Sequence, residues 1–224
     1  MALVRVDVDP SPGPLPRPLA QFVRAANQRI DEFNRARVKR PLDAFMPSDF
    51  ERAWRMVDAI ARGKLARGRA FCEWGCGFAA VAGLAALAGF DACGIEIEPD
   101  LVDEARRLLA DFELPVAIAR GSFVPQDAGA LADCANELGW LAEGGPDGHS
   151  VLRLDPDHFD LVFAYPWPGE EEVIFRLFDH FAAPDALLLT FHGGQDESGT
   201  EGGLRLDRKV AAKRPVPHRR FGGP

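Results

Sequence analysis

An α/β fold, with a mostly parallel sheet between layers of helices, is predicted by three features of the 224-residue sequence. From residue 70 onward, short apolar runs of strand length alternate with segments of helical periodicity, the pattern of β-α-β units. The first run ends in "EWGCG", where Gly75 and Gly77 let the chain turn sharply into a run of small apolar residues. The second ends in "GIEIEPD", which places Glu96 21 residues beyond Gly75. Open sheets of this kind keep their ligand crevice at that edge.

The elements follow in order. After a Pro-rich arm, Leu19, Phe22, Val23, Ala26, Ile30 and Phe33 recur at the spacing of an amphipathic helix. A second helix starts in "PSDFERAW", with Ser48 as its cap and Glu51 reaching back to it. Phe50, Ala53, Trp54, Val57, Ile60 and Ala61 mark its buried face. Gly63 and Gly68 punctuate the linker into the first strand. Strands are predicted at 70–75, 92–97, 115–121, 159–165 and 186–193, and helices at 78–88, 99–112 and 169–182. A last strand covers 204–210. Residues 1–69 thus read as an arm and helices packing on the core, 70–210 as the sheet domain, and 211–224 as a basic tail. Two segments break the rhythm. Residues 124–158 include "DAGALADCANELGWLAEGG", a helix and Gly-rich loop of a length typical of lids, and 193–203 read as a mobile loop.

Composition narrows the function classes. With 47% hydrophobic and 27% charged residues the chain reads as an ordinary soluble globular protein. No apolar run reaches the roughly 18 residues of a membrane span. The N-terminus lacks the basic and apolar regions of a secretory signal, so a cytoplasmic location is expected. Cys72, Cys76, Cys93 and Cys134 form no Cys-x2-Cys pair, and read as buried free thiols with no metal site. Charge is uneven: residues 1–69 carry 14 basic and 8 acidic side chains, 208–224 carry 6 and none, and 70–207 carry 6 and 26. An acidic body argues against nucleic acid as a partner and suits a cationic substrate. The same charges also read as solvated faces that maintain solubility.

The glycine segment admits a nucleotide-type cofactor. Gly75-x-Gly77-x-x-Ala80 also satisfies the dinucleotide pattern, so an NAD-type oxidoreductase is one alternative. Glu73, just ahead of the glycines, argues against it, because a carboxylate facing the ligand repels a pyrophosphate and welcomes an amino group. At the end of the second strand, Glu96 can accept hydrogen bonds from both hydroxyls of a ribose.

"CEWGCGFAAVAGLAALAGFDACGIEIEPDLVDEARRL" resembles the first two cofactor motifs of class I S-adenosylmethionine-dependent methyltransferases, a likeness extending over about residues 70–193. The resemblance implies a Rossmann-like three-layer α/β/α sandwich binding S-adenosylmethionine. Glu73 would support the methionine end, the loop of Gly75, Cys76 and Gly77 would pass under the cofactor, Glu96 would hold the ribose, and Ile97 would pack on the adenine. Where the family often has an acidic residue near the adenine amino group, this chain has Ser122 beside Phe123. "PSD" at 47–49 resembles a segment ahead of the first motif in some lysine-directed members. The family fold closes with an antiparallel strand pair, which the 31 residues after Gly193 would supply in shortened or rearranged form.

Methyl transfer is expected beside "AYPWPGEEE", which resembles in shape the Asn/Asp-Pro-Pro-aromatic motif of amino-group methyltransferases but lacks its Asn or Asp. Tyr165 and Trp167 are candidates to hold an amine, partly by cation–π attraction. Equally, they can pack the turn. His192, at the end of the fifth run, is a candidate to take the acceptor's proton or a residue that closes its strand. Glu170, Glu171 and Glu172 suit the positive end of the next helix, and the other histidines carry no signal. The acceptor is expected to be a small amine or a basic protein side chain. A non-catalytic cofactor-binding protein is the remaining alternative.

Overall fold

The computed structural model describes residues 3–37, 45–129, 131, 145–167, 169–192 and 203–210. Seven strands form one sheet: β1 (Leu3–Arg5), β2 (Ala70–Trp74), β3 (Asp91–Glu96), β4 (Ala117–Arg120), β5 (Leu161–Ala164), β6 (Leu187–Phe191) and β7 (Leu204–Lys209). Their order is β1-β7-β6-β5-β2-β3-β4. Strands β2 to β6 are mutually parallel, β7 runs antiparallel to β6, and β1 antiparallel to β7. From β2 the chain winds outward to β4, then returns to add β5 and β6 on the other side. The switch between β2 and β5 opens a crevice at their carboxyl ends.

Every strand of the predicted α/β core is present. The antiparallel closure is rearranged: β7 comes from the C-terminal segment, but its outer partner is Leu3–Arg5, which sequence reading placed in a packing arm. Three residues of unremarkable alternation carry too little signal to be recognised as a strand. Pairing with β7 decides their conformation.

Alternation along the strands sorts the core into two layers. Phe71, Leu161, Phe163, Leu187 and Leu189 face one side, beneath α1 (Arg17–Ala36), α2 (Phe50–Arg62), α3 (Ala80–Leu87) and α4 (Pro99–Asp111). Cys72, Trp74, Val162, Ala164 and Leu188 face the other, beneath α6 (Glu171–Phe181). A short α5 (Gly148–Leu152) returns toward the end of β4.

Helix α3 is thin because it is enclosed. Ala80, Ala82 and Ala85 are buried, and α1 crosses it so closely that a Cβ on Gly83 would lie 2.4 Å from the Phe22 ring. Ion pairs Arg29–Asp111 and Arg37–Asp100 tie α1 to α4. The cap of α2 differs from expectation. Helix α2 begins at Phe50, so Asp49 rather than Ser48 is the cap, and its Oδ1 accepts the Arg52 N–H at 3.0 Å. A start one residue later moves Glu51 out of the reciprocal position.

Cys72, Cys76 and Cys93 are free and buried. Cys134, most of the expected lid, residues 193–202 of the expected loop and the tail 211–224 lie outside the described residues. Among the described residues no helix is long and apolar enough to cross a membrane.

Candidate functional site

A cavity of about 360 Å³ opens at the carboxyl ends of β2 to β5. Its floor is the turn that the sequence "EWGCGFAA" forces. Gly77 has φ +53°, and a Cβ there would lie 2.7 Å from the Phe45 ring, so both conformation and space demand glycine. Cys76 turns its sulfur inward beneath Gly94 of β3, since a Cβ on Gly94 would lie 2.7 Å from Sγ.

Two buried carboxylates fix this turn. Glu96 Oε2 accepts the Gly77 N–H at 2.7 Å, and its Oε1 accepts the Glu98 N–H at 2.9 Å. Burial raises its pKa, and the N–H donors of Glu98, Gly77 and Ile97 oppose that rise. Glu73 Oε2 accepts the Ala82 N–H of α3 at 2.7 Å. Burial pushes the Glu73 carboxyl up to about 8, against the Ala82 hydrogen bond and with help from the Glu96 charge. In the ligand-free protein Glu73 is therefore mostly protonated near neutral pH. A protonated Glu73 has little charge left to repel a pyrophosphate. What opposes a pyrophosphate is the occupation of the Gly77 and Ala82 N–H groups by these carboxyls.

Trp74, at the end of β2, stacks on Phe123 with ring centroids 5.3 Å apart and planes 5° from parallel. The edge of His149 meets the Trp74 ring, and its Nε2 lies 3.1 Å from the Phe123 carbonyl. Burial lowers the His149 pKa, so the neutral ring donates from Nε2. Sequence reading gave neither residue a role. Yet "PDGHS" held a clue: Asp147 caps α5 through the His149 and Ser150 N–H groups, which aims His149 inward. Ser122 pairs with the same segment, donating its N–H to Pro146 and accepting the Gly148 N–H. Its Oγ accepts the Val124 N–H at 3.1 Å.

The opposite end of the cavity lies between the α1–α2 connection and the loop after β5. Phe45, Phe33 and Phe78 form a ring cluster, with Phe45 and Phe33 each 5.5 Å from Phe78. Tyr165, Trp167 and Glu170 line the same cavity as Phe45 and Phe78. The Tyr165 ring meets Phe191 edge-on at 4.9 Å, and burial raises its pKa, so it remains a phenol at neutral pH.

The structure thus brings Glu73, Gly75, Cys76, Gly77, Glu96, Ile97, Ser122, Phe123, Tyr165 and Trp167 around one cavity. His192 is not among the lining residues. Its Nε2 lies 2.8 Å from Thr190 Oγ1, at the β6–β7 edge near the Arg205–Asp207 ion pair. It stands apart because that short side-chain link folds the ring back along its own strand. Glu98 and Glu170 also line the cavity, and no Lys, Arg or His does among the described residues.

No protein-family model matches the chain, and no curated protein sequence does. Among solved structures, a methyltransferase from Geobacter sulfurreducens superposes with a TM-score of 0.50 at 15% identity, over 89% of this chain and 93% of that one. The chain shares the fold of that methyltransferase. An RNA methyltransferase from Salinibacter ruber in complex with S-adenosyl-L-homocysteine gives 0.48 at 16% identity, over 77% of this chain and 97% of that one. A predicted O-methyltransferase from Agrobacterium tumefaciens gives 0.49 at 12%, over 72% and 81%. In this chain the outermost position beside β7 is filled by the N-terminal β1.

Proposed function

We propose that the protein is an S-adenosylmethionine-dependent methyltransferase acting on an amino group, carried by a small molecule or a basic protein side chain. The observation that carries this reading is the convergence of the glycine turn, Glu96 and Ser122 on a cavity without a basic lining residue among the described ones. A dinucleotide needs cations or bare N–H groups for its phosphates. Here Glu96 occupies the Gly77 N–H and Glu73 the Ala82 N–H, so a phosphate-free adenosine cofactor fits better.

On this reading Glu96 serves the ribose hydroxyls, Ile97 and Phe123 flank the adenine, Ser122 offers its hydroxyl proton, and Glu73 supports the methionine end. When bound, the cofactor would supply a methyl group on a cationic sulfur, and an acceptor arriving as an ammonium ion would first give a proton to water so that its nitrogen carries the lone pair the methyl needs. The chain's own work is alignment and exclusion of water. Phe45 and the residues after it form one wall of the acceptor end, and Tyr165 with Trp167 the other. Residues 1–69 thereby contribute a wall to the domain formed by 70–210. An anionic acceptor meets carboxylates on these walls and no cation among the described residues.

Calorimetric titration of the full chain with S-adenosylmethionine and with NAD tests the cofactor. Tight NAD binding without a response to S-adenosylmethionine would overturn the proposal. Incubation with methyl-labelled cofactor and cell extract then identifies the acceptor, and binding without any transferred label would indicate a non-catalytic protein.

A further inference from the structure

Glu170 is a buried carboxylate without a counter-charge among the described residues. It is 4% exposed and lines the acceptor end of the cavity beside Tyr165 and Trp167. Although it occupies the cap position of α6, its side chain makes no capping hydrogen bond. Instead Oε2 turns back to accept the Trp167 N–H at 2.9 Å. Its other oxygen has no hydrogen-bond partner among the described residues, and no ion pair there involves it.

The other buried acids of the cavity are accounted for differently. Glu96 uses both oxygens on backbone N–H groups, and Glu73 is fixed on α3. Glu170 has one donor, and its charged neighbour is Glu171, of the same sign. Burial raises the Glu170 pKa, as expected for a carboxylate that lacks a cation. The unpartnered oxygen is not sealed from solvent, so it stays open to a ligand that enters the cavity.

We infer that Glu170 selects the methyl acceptor, its unpaired oxygen accepting an N–H from an alkylammonium or amine group held beside Tyr165 and Trp167. The inference rests on the methyl-transfer reading above. It gives a role to a residue that its place at a helix start would otherwise explain. It also names the substrate class by charge: cationic or amine nitrogen in preference to an alcohol, with carboxylates and phosphates disfavoured.

The test uses the full chain saturated with S-adenosylhomocysteine, titrated with methyl-, n-butyl- and benzylammonium, the matching alcohols and the matching carboxylates. At least one ammonium ion should bind about tenfold or more tighter than its alcohol, the scale of a charged hydrogen bond, and its carboxylate more weakly still. Glu170→Gln should abolish that preference while retaining S-adenosylhomocysteine affinity, which also reports that the variant is folded. An absent preference in the natural chain overturns the inference without recourse to any variant, as does a preference unchanged in Glu170→Gln. So does a short single-stranded RNA that displaces the ammonium ion. Failure of the natural chain to bind S-adenosylhomocysteine overturns the methyl-transfer reading itself.

Discussion

Glu96, the last residue of β3, accepts the backbone N–H of Gly77 at 2.7 Å and so locks the glycine turn of β2 to the neighbouring strand. One carboxylate therefore shapes the turn and presents the group proposed to bind a ribose. Glu96→Ala should weaken S-adenosylmethionine binding by roughly 1–3 kcal/mol, the range for losing a charged hydrogen-bond partner. Titration calorimetry reads this directly, and unchanged affinity removes the ribose assignment.

Glu73 makes stability depend on pH in an unusual direction. Folding raises its pKa from about 4.5 to about 8. Between those values the folded chain holds a proton that the unfolded chain has released, so stability falls as pH rises through this window. Glu73→Gln keeps an acceptor for Ala82 and has no proton to lose. Urea melts should show the two chains similar near pH 5 and the variant more stable near pH 9, by on the order of 3–5 kcal/mol. Parallel pH profiles would remove Glu73 as the cause.

Gly77→Ala places a Cβ at φ +53° and 2.7 Å from Phe45. Strain of about 1–2 kcal/mol from the backbone adds to displacement of the ring. Both stability and cofactor affinity should drop, whereas a shift in stability alone would separate the turn from the binding site.

The helix cap offers a test independent of function. Asp49→Ala should cost about 0.5–2 kcal/mol of stability. Ser48→Ala, one residue earlier, should cost less than about 0.5 kcal/mol. Chemical denaturation distinguishes the two, and the reverse order would restore Ser48 as the cap.

His192→Ala should leave S-adenosylmethionine binding unchanged, because the side chain turns to Thr190 and away from the cavity. A loss of affinity of about tenfold, 1.4 kcal/mol, would place His192 in the site after all.

Local signals determined much of this protein. Runs such as "LVFA" and "LLLTF" alternate between two buried layers, and the helices keep their apolar spacing, so core strands and helices were legible to within a few residues. The glycine turn and Glu96 were legible too, because strand, turn, helix and acid occur at fixed spacing along one chain. Tertiary structure alone decided what depends on distant partners. Leu3–Arg5 became a strand because β7 offered a free edge more than 200 residues away. His149 of α5 and Trp74 of β2 came together because both pack around Phe123. Glu73 became neutral, and Glu170 became the unpaired acid, through burial. Burial is a property of everything packed around a residue, and no short stretch of sequence records it.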